Sequence, residues 1–177
     1  MSIIEKSKLM GIISIITKTL EVIKEDITTP KSFKDGQKFE DYITKYLFKK
    51  ESYDCLEMTH NYQTNSKFFV KASLKPDFKF RDKKTNKEFY VEAKFRSTDY
   101  KGKVIWCNEQ QLKRYQEIHK ITPVFLLLGE QGNPNKPNVL SLILLDKAKY
   151  TGLFPSYIDK FNIEFEQPVT SKILWNR

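Results

Sequence analysis

The sequence has little cysteine or histidine, two of each in 177 residues. Cys55 and Cys107 lie far apart, which excludes a disulfide framework and points to a reducing, cytoplasmic compartment. Cys55 and His60 read C-x4-H, and Cys107 and His119 read C-x11-H; neither is a paired zinc-ligand spacing. Long apolar runs are lacking too. The uncharged run that opens at Leu9 in "LMGIISIITKTLEVI" stops at Lys18, too short for a membrane span. It also lacks the small-residue cleavage site of a signal peptide. It reads as a helix over residues 3–25, with Leu9, Ile12, Ile13, Ile16, Leu20 and Ile23 on one face. That face packs on the domain or on a second copy in a homodimer. The glycine spacing of a phosphate loop is missing, and "KYTGLFP" is only a turn. There are no repeats, no low-complexity tract and no second domain boundary. One domain over residues 1–177 is expected, with no membrane partner.

What the chain does have is positive charge and rings. The formal net charge is +9 and the sequence pI about 9.4, with aromatics at 14%. A basic domain attracts polyanions, nucleic acid first and an anionic membrane surface second. Most of the rings are accounted for by core packing.

Pro30 breaks the first helix. A second helix is predicted over about 36–50, "GQKFEDYITKYLFKK", capped by Ser32 or Asp35. "YDCLEMTHNY" (53–62) reads as a strand, and "SKFFVKASL" as either more sheet or a loop. Two strands follow at about 77–82 and 88–96, then the polar loop "STDYKGK". A helix covers 108–120. Residues 122–129 and 139–146 are apolar strands of the buried type, separated by the loop "GEQGNPNKPN". The tail to residue 177 holds short pieces. The order is helix, three strands, helix, strand, with additions at both ends. That is a mixed sheet flanked by helices, an α/β (α+β) class.

The chemistry concentrates in "KPDFKFRDKKTNKEFYVEAKFR", residues 75–96. Alternation sets Phe78 and Phe80 on one face of the first strand, with Asp77, Lys79 and Arg81 on the other. On the second strand Phe89, Val91, Ala93 and Phe95 share a face, opposite Tyr90, Glu92, Lys94 and Arg96. With the turn centred on Lys84 and Thr85, Asp77 faces Glu92; a bulge at Asn86 would shift that register. Opposed carboxylates repel unless a cation compensates, and Mg²⁺ takes one or two carboxylates and keeps several waters. Lys94 points the same way and can orient a water or stabilise charge on a phosphate. The alternative is a solvated polar face.

Pro76-Asp77 followed by Glu92-Ala93-Lys94 at the end of an apolar strand resembles the PD-(D/E)xK nuclease superfamily, over about residues 33–128. That family's restriction-endonuclease-like core is helix, three strands, helix, strand. The resemblance implies that Asp77, Glu92 and the carbonyl of Ala93 bind Mg²⁺ or Mn²⁺ and that Lys94 positions the attacking water. Glu40, on the stripe of Ile43 and Leu47, would complete or support the metal shell, with Gly36 allowing close backbone approach. Gln111 and Tyr115 in "QLKRY" are similar to the Q-x-x-x-Y pattern of the RecB-like branch. They would contact substrate phosphate or support Lys94. Asn108 and Gln111 also make a fair capping pair, and Tyr115 a fair core residue.

Lys113, Arg114, Lys120 and Arg96 add positive charge for a nucleic-acid backbone, or form a solvated basic face. Tyr100 and Trp106 could stack on bases, though such rings are more often core. The expected activity is metal-assisted hydrolysis of phosphodiester bonds in DNA, with RNA not excluded. The alternative is a non-catalytic nucleic-acid-binding module of the same fold. A basic protein-interaction domain is a third reading.

Overall fold

The computed structural model describes residues 31–59, 74–97 and 99–176. The expected helix at 3–25 and most of "SKFFVKASL" lie outside the described residues. The chain divides into two compact units, residues 1–34 and 35–177.

Helix α1 spans Lys31–Tyr42 and runs on into a π-helical turn, Ile43–Leu47. Strands β1 (Tyr53–Met58), β2 (Phe78–Asp82) and β3 (Glu88–Arg96) follow. A short β4 (Val104–Ile105) precedes helix α2 (Glu109–His119). Strands β5 (Val124–Asn133) and β6 (Lys136–Leu144) complete a five-stranded sheet in the order β1-β2-β3-β5-β6. Only β3 and β5 run parallel, and α2 is their crossover, as a parallel connection requires. A second sheet pairs β4 with β7 (Gly152–Leu153). Short helices α3 (Pro155–Ile158) and α4 (Ser171–Trp175) sit in the tail. The fold is a mixed α+β sheet with helices against it, as the residue pattern predicts.

Two apolar layers hold it. Phe39 and Tyr42 of α1, with Ile43 and Leu47 of the π-helical turn, bury against Phe78, Phe80, Phe89, Val91, Phe125 and Leu127. Leu112 and Tyr115 of α2 bury against Tyr90, Val124, Leu126 and Leu128. Strand β5 is therefore apolar on both faces over residues 124–128, which is why that stretch reads as an unbroken run. Much of the aromatic content is spent in the first layer. Phe48 lies 4.9 Å from Phe80 and 5.1 Å from Tyr53, ring centre to ring centre. Such pairs each add about 0.5–1.5 kcal/mol beyond burial.

Several expectations need correction. Helix α1 includes Lys31, so Ser32 and Asp35 lie inside it and cap nothing. Gly36 has open space where a Cβ would stand, so no backbone closes on it. The close approach is at Gly129 of β5, where a Cβ would come within 2.5 Å of the Phe39 ring. "GEQGNPNKPN" is a hairpin instead of a loop: β5 and β6 pair as far as Asn133↔Lys136. Its Gly, Asn and Pro mark a tight turn, with Gly132 at φ 68°. The side of β3 expected to be charged is largely covered, Tyr90 and Glu92 being buried.

Candidate active site

The β2–β3 hairpin sets the geometry. Its ladder pairs Phe78 with Val91, Lys79 with Tyr90, Phe80 with Phe89 and Arg81 with Glu88. Asn86 takes up the turn at φ 57° without shifting that register. One step beyond Phe78, Asp77 faces Glu92. Asp77 caps the pairing with its own side chain: its Oδ2 accepts the Ala93 amide at 2.8 Å.

Both acids are buried, Asp77 to 6% exposure and Glu92 to 1%. Glu92 is gripped from three sides. Lys94 Nζ lies 2.5 Å from its Oε1, and Gln111 Nε2 donates to the same oxygen at 3.1 Å. Tyr115 donates its hydroxyl to Oε2 at 2.7 Å and accepts from Gln111 Nε2 at 2.8 Å. Beyond desolvation, Asp77 lies close enough to Glu92 for its charge to raise the Glu92 pKa.

Electrostatics follow from burial. Desolvation, then the charge of Asp77, raises the Glu92 pKa, and desolvation raises that of Asp77. Glu40 belongs to the same group. Desolvation first and Asp77 second push its carboxyl from 4.5 to about 8, with Glu92 adding to the rise and Lys94 opposing it. Desolvation pulls the Lys94 ammonium down, but Glu92 and Asp77 together hold it above its ordinary value. Lys94 is therefore a fixed cation among acids that prefer to keep a proton.

The donor chemistry fits a hard divalent cation, because, beyond desolvation, Asp77 raises the pKa of both Glu92 and Glu40, and Glu92 that of Glu40. A Mg²⁺ site needs only one or two carboxylates with waters. Among the described residues, however, no group of three or more His, Cys, Asp or Glu side chains stands in position to hold a metal ion. Asp77 and Glu92 are the pair that would hold one, with Glu40 beside them.

The remaining predicted residues fall differently. Tyr115 is 1% exposed and bound to Glu92, so its hydroxyl is not presented to a nucleic-acid backbone. Gln111 supports Glu92 rather than Lys94, and its backbone N–H is capped by Asn108 Oδ1 at 2.8 Å as expected. Arg96 spends its guanidinium on the carbonyls of Phe95, Ile105 and Trp106. It ties the end of β3 to β4. Arg114 is half-buried, with an Nε that has no hydrogen-bond partner. Lys113 is exposed, two residues off the Gln111–Tyr115 face and so on the far side of α2. Trp106 is fully buried, its Nε1 donating to the Tyr150 carbonyl at 2.7 Å. His119 Nδ1 accepts the Val124 amide, a structural use.

One neighbour escaped the sequence reading. Cys107 is buried just before α2, its thiol pushed up to about 12 by desolvation and then by Glu92. It walls the site as a neutral thiol. Its position directly before the Asn108 cap is the signal that could have found it. Comparison with known families and with curated proteins finds no match to this chain.

Proposed function

We propose that this chain is a metal-dependent nuclease of the PD-(D/E)xK type, hydrolysing phosphodiester bonds of DNA. One observation carries the reading: Asp77 and Glu92 are buried against each other on a strand pair, with Lys94 as the cation on the same face. Buried like charges are costly unless a cation belongs among them. The order of strands, the crossover helix and Glu40 on α1 agree with the family core that the motif resembles. The net charge of +9 suits a polyanionic substrate.

The roles follow from the contacts. Asp77 and Glu92 would hold Mg²⁺ or Mn²⁺, with the carbonyl of Ala93 as the expected third oxygen. Once bound, such an ion polarises a phosphate and lowers the pKa of a water. Lys94 stays protonated, so it serves as donor and counter-charge rather than as base. It can orient a water for in-line attack and stabilise charge on a phosphate oxygen. Gln111 and Tyr115 fix the rotamer of Glu92, and Glu40 adds an acid at the edge.

A second reading keeps the fold and drops the catalysis. It is favoured by the donors that already occupy both oxygens of Glu92. The test is incubation with circular single-stranded DNA and plasmid in Mg²⁺, Mn²⁺ or EDTA, beside Asp77→Ala and Lys94→Ala. Metal-dependent nicking that both variants lose is the expected result. Salt-sensitive DNA binding without cleavage of these or of linear DNA would leave the binding module.

A further inference from the structure

The small sheet of β4 and β7 carries a feature that the acid cluster does not use. Large exposed aromatic side chains are few among the described residues: Tyr100, Tyr150, Phe154 and Phe165. Three of these four lie on or beside this sheet. Tyr150 and Phe154 line a cavity of about 600 Å³ together with Tyr157, Lys103, Lys147 and Lys149. The described lining includes three lysines and no acid. The wall is anchored at Tyr157 and at the backbone of Tyr150. Tyr157 donates its hydroxyl to the Lys147 carbonyl, and the Tyr150 carbonyl is held by buried Trp106. Lys103 Nζ sits 4.8 Å from the Phe154 ring centre, a cation–π contact that sets ring and charge side by side.

A hydrogen bond ties the cavity to the strand that carries Lys94. Arg96, two residues past Lys94 on β3, donates to the carbonyl of Ile105, a lining residue, at 2.7 Å.

We infer that this hollow is a subsite for single-stranded nucleic acid. On this view unstacked bases lie on Phe154 and Tyr150 and the flanking phosphates meet Lys103, Lys147 and Lys149. This names the substrate form and rests on the nuclease reading for its purpose, though not for its chemistry. Rings set among lysines in a concave site are what an unpaired base and its phosphates require. A duplex keeps its base faces covered by stacking and offers nothing for the rings to take. A flat anionic surface, such as a lipid headgroup layer, does not enter a hollow of this size.

The test measures binding alone. Fluorescence anisotropy of a labelled 15-mer of dT is followed in EDTA, where metal-assisted cleavage cannot proceed. It is compared with a 15-mer of abasic sites, a duplex and heparin. Phe154→Ala and Tyr150→Ala should each weaken dT binding by roughly 5- to 100-fold, the loss of one base–ring stack. Abasic DNA and heparin should bind weakly and alike to wild type and variants. Phe154→Tyr and Tyr150→Phe, which keep the rings, should restore dT binding. Equal affinity for dT and abasic DNA, or for dT and duplex, would overturn the inference. So would ring-to-alanine variants that bind dT as wild type does. Ring-dependent binding by a protein that never cleaves would sink the nuclease reading and leave the subsite standing. Cleavage that ignores the ring variants would do the reverse.

Discussion

At the scale of single residues, the site is defined by who neutralises whom. Glu40 and Glu92 have folded-state pKa values above their unfolded ones, so the folded protein binds more protons over the interval. Stability must then fall as pH rises from about 4.5, the unfolded value, through about 8 for Glu40. Thermal melts in EDTA should show a falling Tm across that window. Glu40→Gln should flatten the slope. Added Mg²⁺ should raise Tm most at the alkaline end, where it replaces the missing protons. A Tm that climbs from pH 5 to 8 in EDTA would contradict this account of the cluster. Tyr115 gives a sharper probe. Tyr115→Phe removes the donor to Glu92 Oε2 and leaves the ring in place. Such support of a ligand is worth roughly 10- to 100-fold in metal affinity or activity. The midpoint of a Mg²⁺ titration of cleavage should shift upward accordingly, with the fold unchanged by circular dichroism.

At the scale of elements, two contacts set where the site's pieces stand. Gly129 lets α1 lie close on β5, and the residue it admits is Phe39, next to Glu40 in sequence. Gly129→Ala would push that ring away. Overpacking of this kind costs about 1–3 kcal/mol, so Tm should drop by several degrees. Cleavage should fall further than stability alone explains, because Glu40 moves with α1. Asp82 is the second contact. Its carboxylate is 1% exposed and accepts from Lys84 N, Thr85, Ser171 and Trp175 Nε1. It binds α4 to the turn of the β2–β3 hairpin. Desolvation opposes its charge, yet those donors, Trp175 first, hold its pKa below 3.8. This contribution is present above pH 4 and is lost as pH falls through the depressed folded value. Asp82→Ala should cost roughly 2–3 kcal/mol in urea unfolding, because buried donors lose their acceptor.

The same elements show what a sequence can and cannot convey. The hairpin register was legible because alternation and an even turn fix it, and the buried nature of β5 because its apolar residues fill both parities. The start of α1 was not legible: Ser32 and Asp35 are good caps, but nothing local says that the helix already runs at Lys31. "GEQGNPNKPN" hid a hairpin because turn-forming residues dominate it and the ladder is set by β6. The role of Tyr115 was hidden for a different reason. Helix periodicity gives a residue's face, whereas the strand residue beneath it depends on the parallel crossover, which no local pattern encodes.

At the scale of the whole molecule, the charge of +9 is the widest-reaching feature. Three lysines line the hollow beside β4 and β7. Binding to DNA should therefore weaken steeply with salt, log K falling linearly with log salt. Lys147→Ala with Lys149→Ala should lower that slope by about one to two. A slope unchanged by the pair would place the phosphate contacts elsewhere on the surface. Among the described residues no helix is long and apolar enough to cross a membrane.

Mn²⁺ binding to this chain, followed by calorimetry, tests most directly whether the buried acids hold a divalent cation. Wild type should bind Mn²⁺ with a heat that Asp77→Asn abolishes. Lys94→Ala should keep it, since that change removes a competing cation rather than a ligand. Equal heats for wild type and Asp77→Asn, or no binding by wild type at millimolar Mn²⁺, would contradict the account.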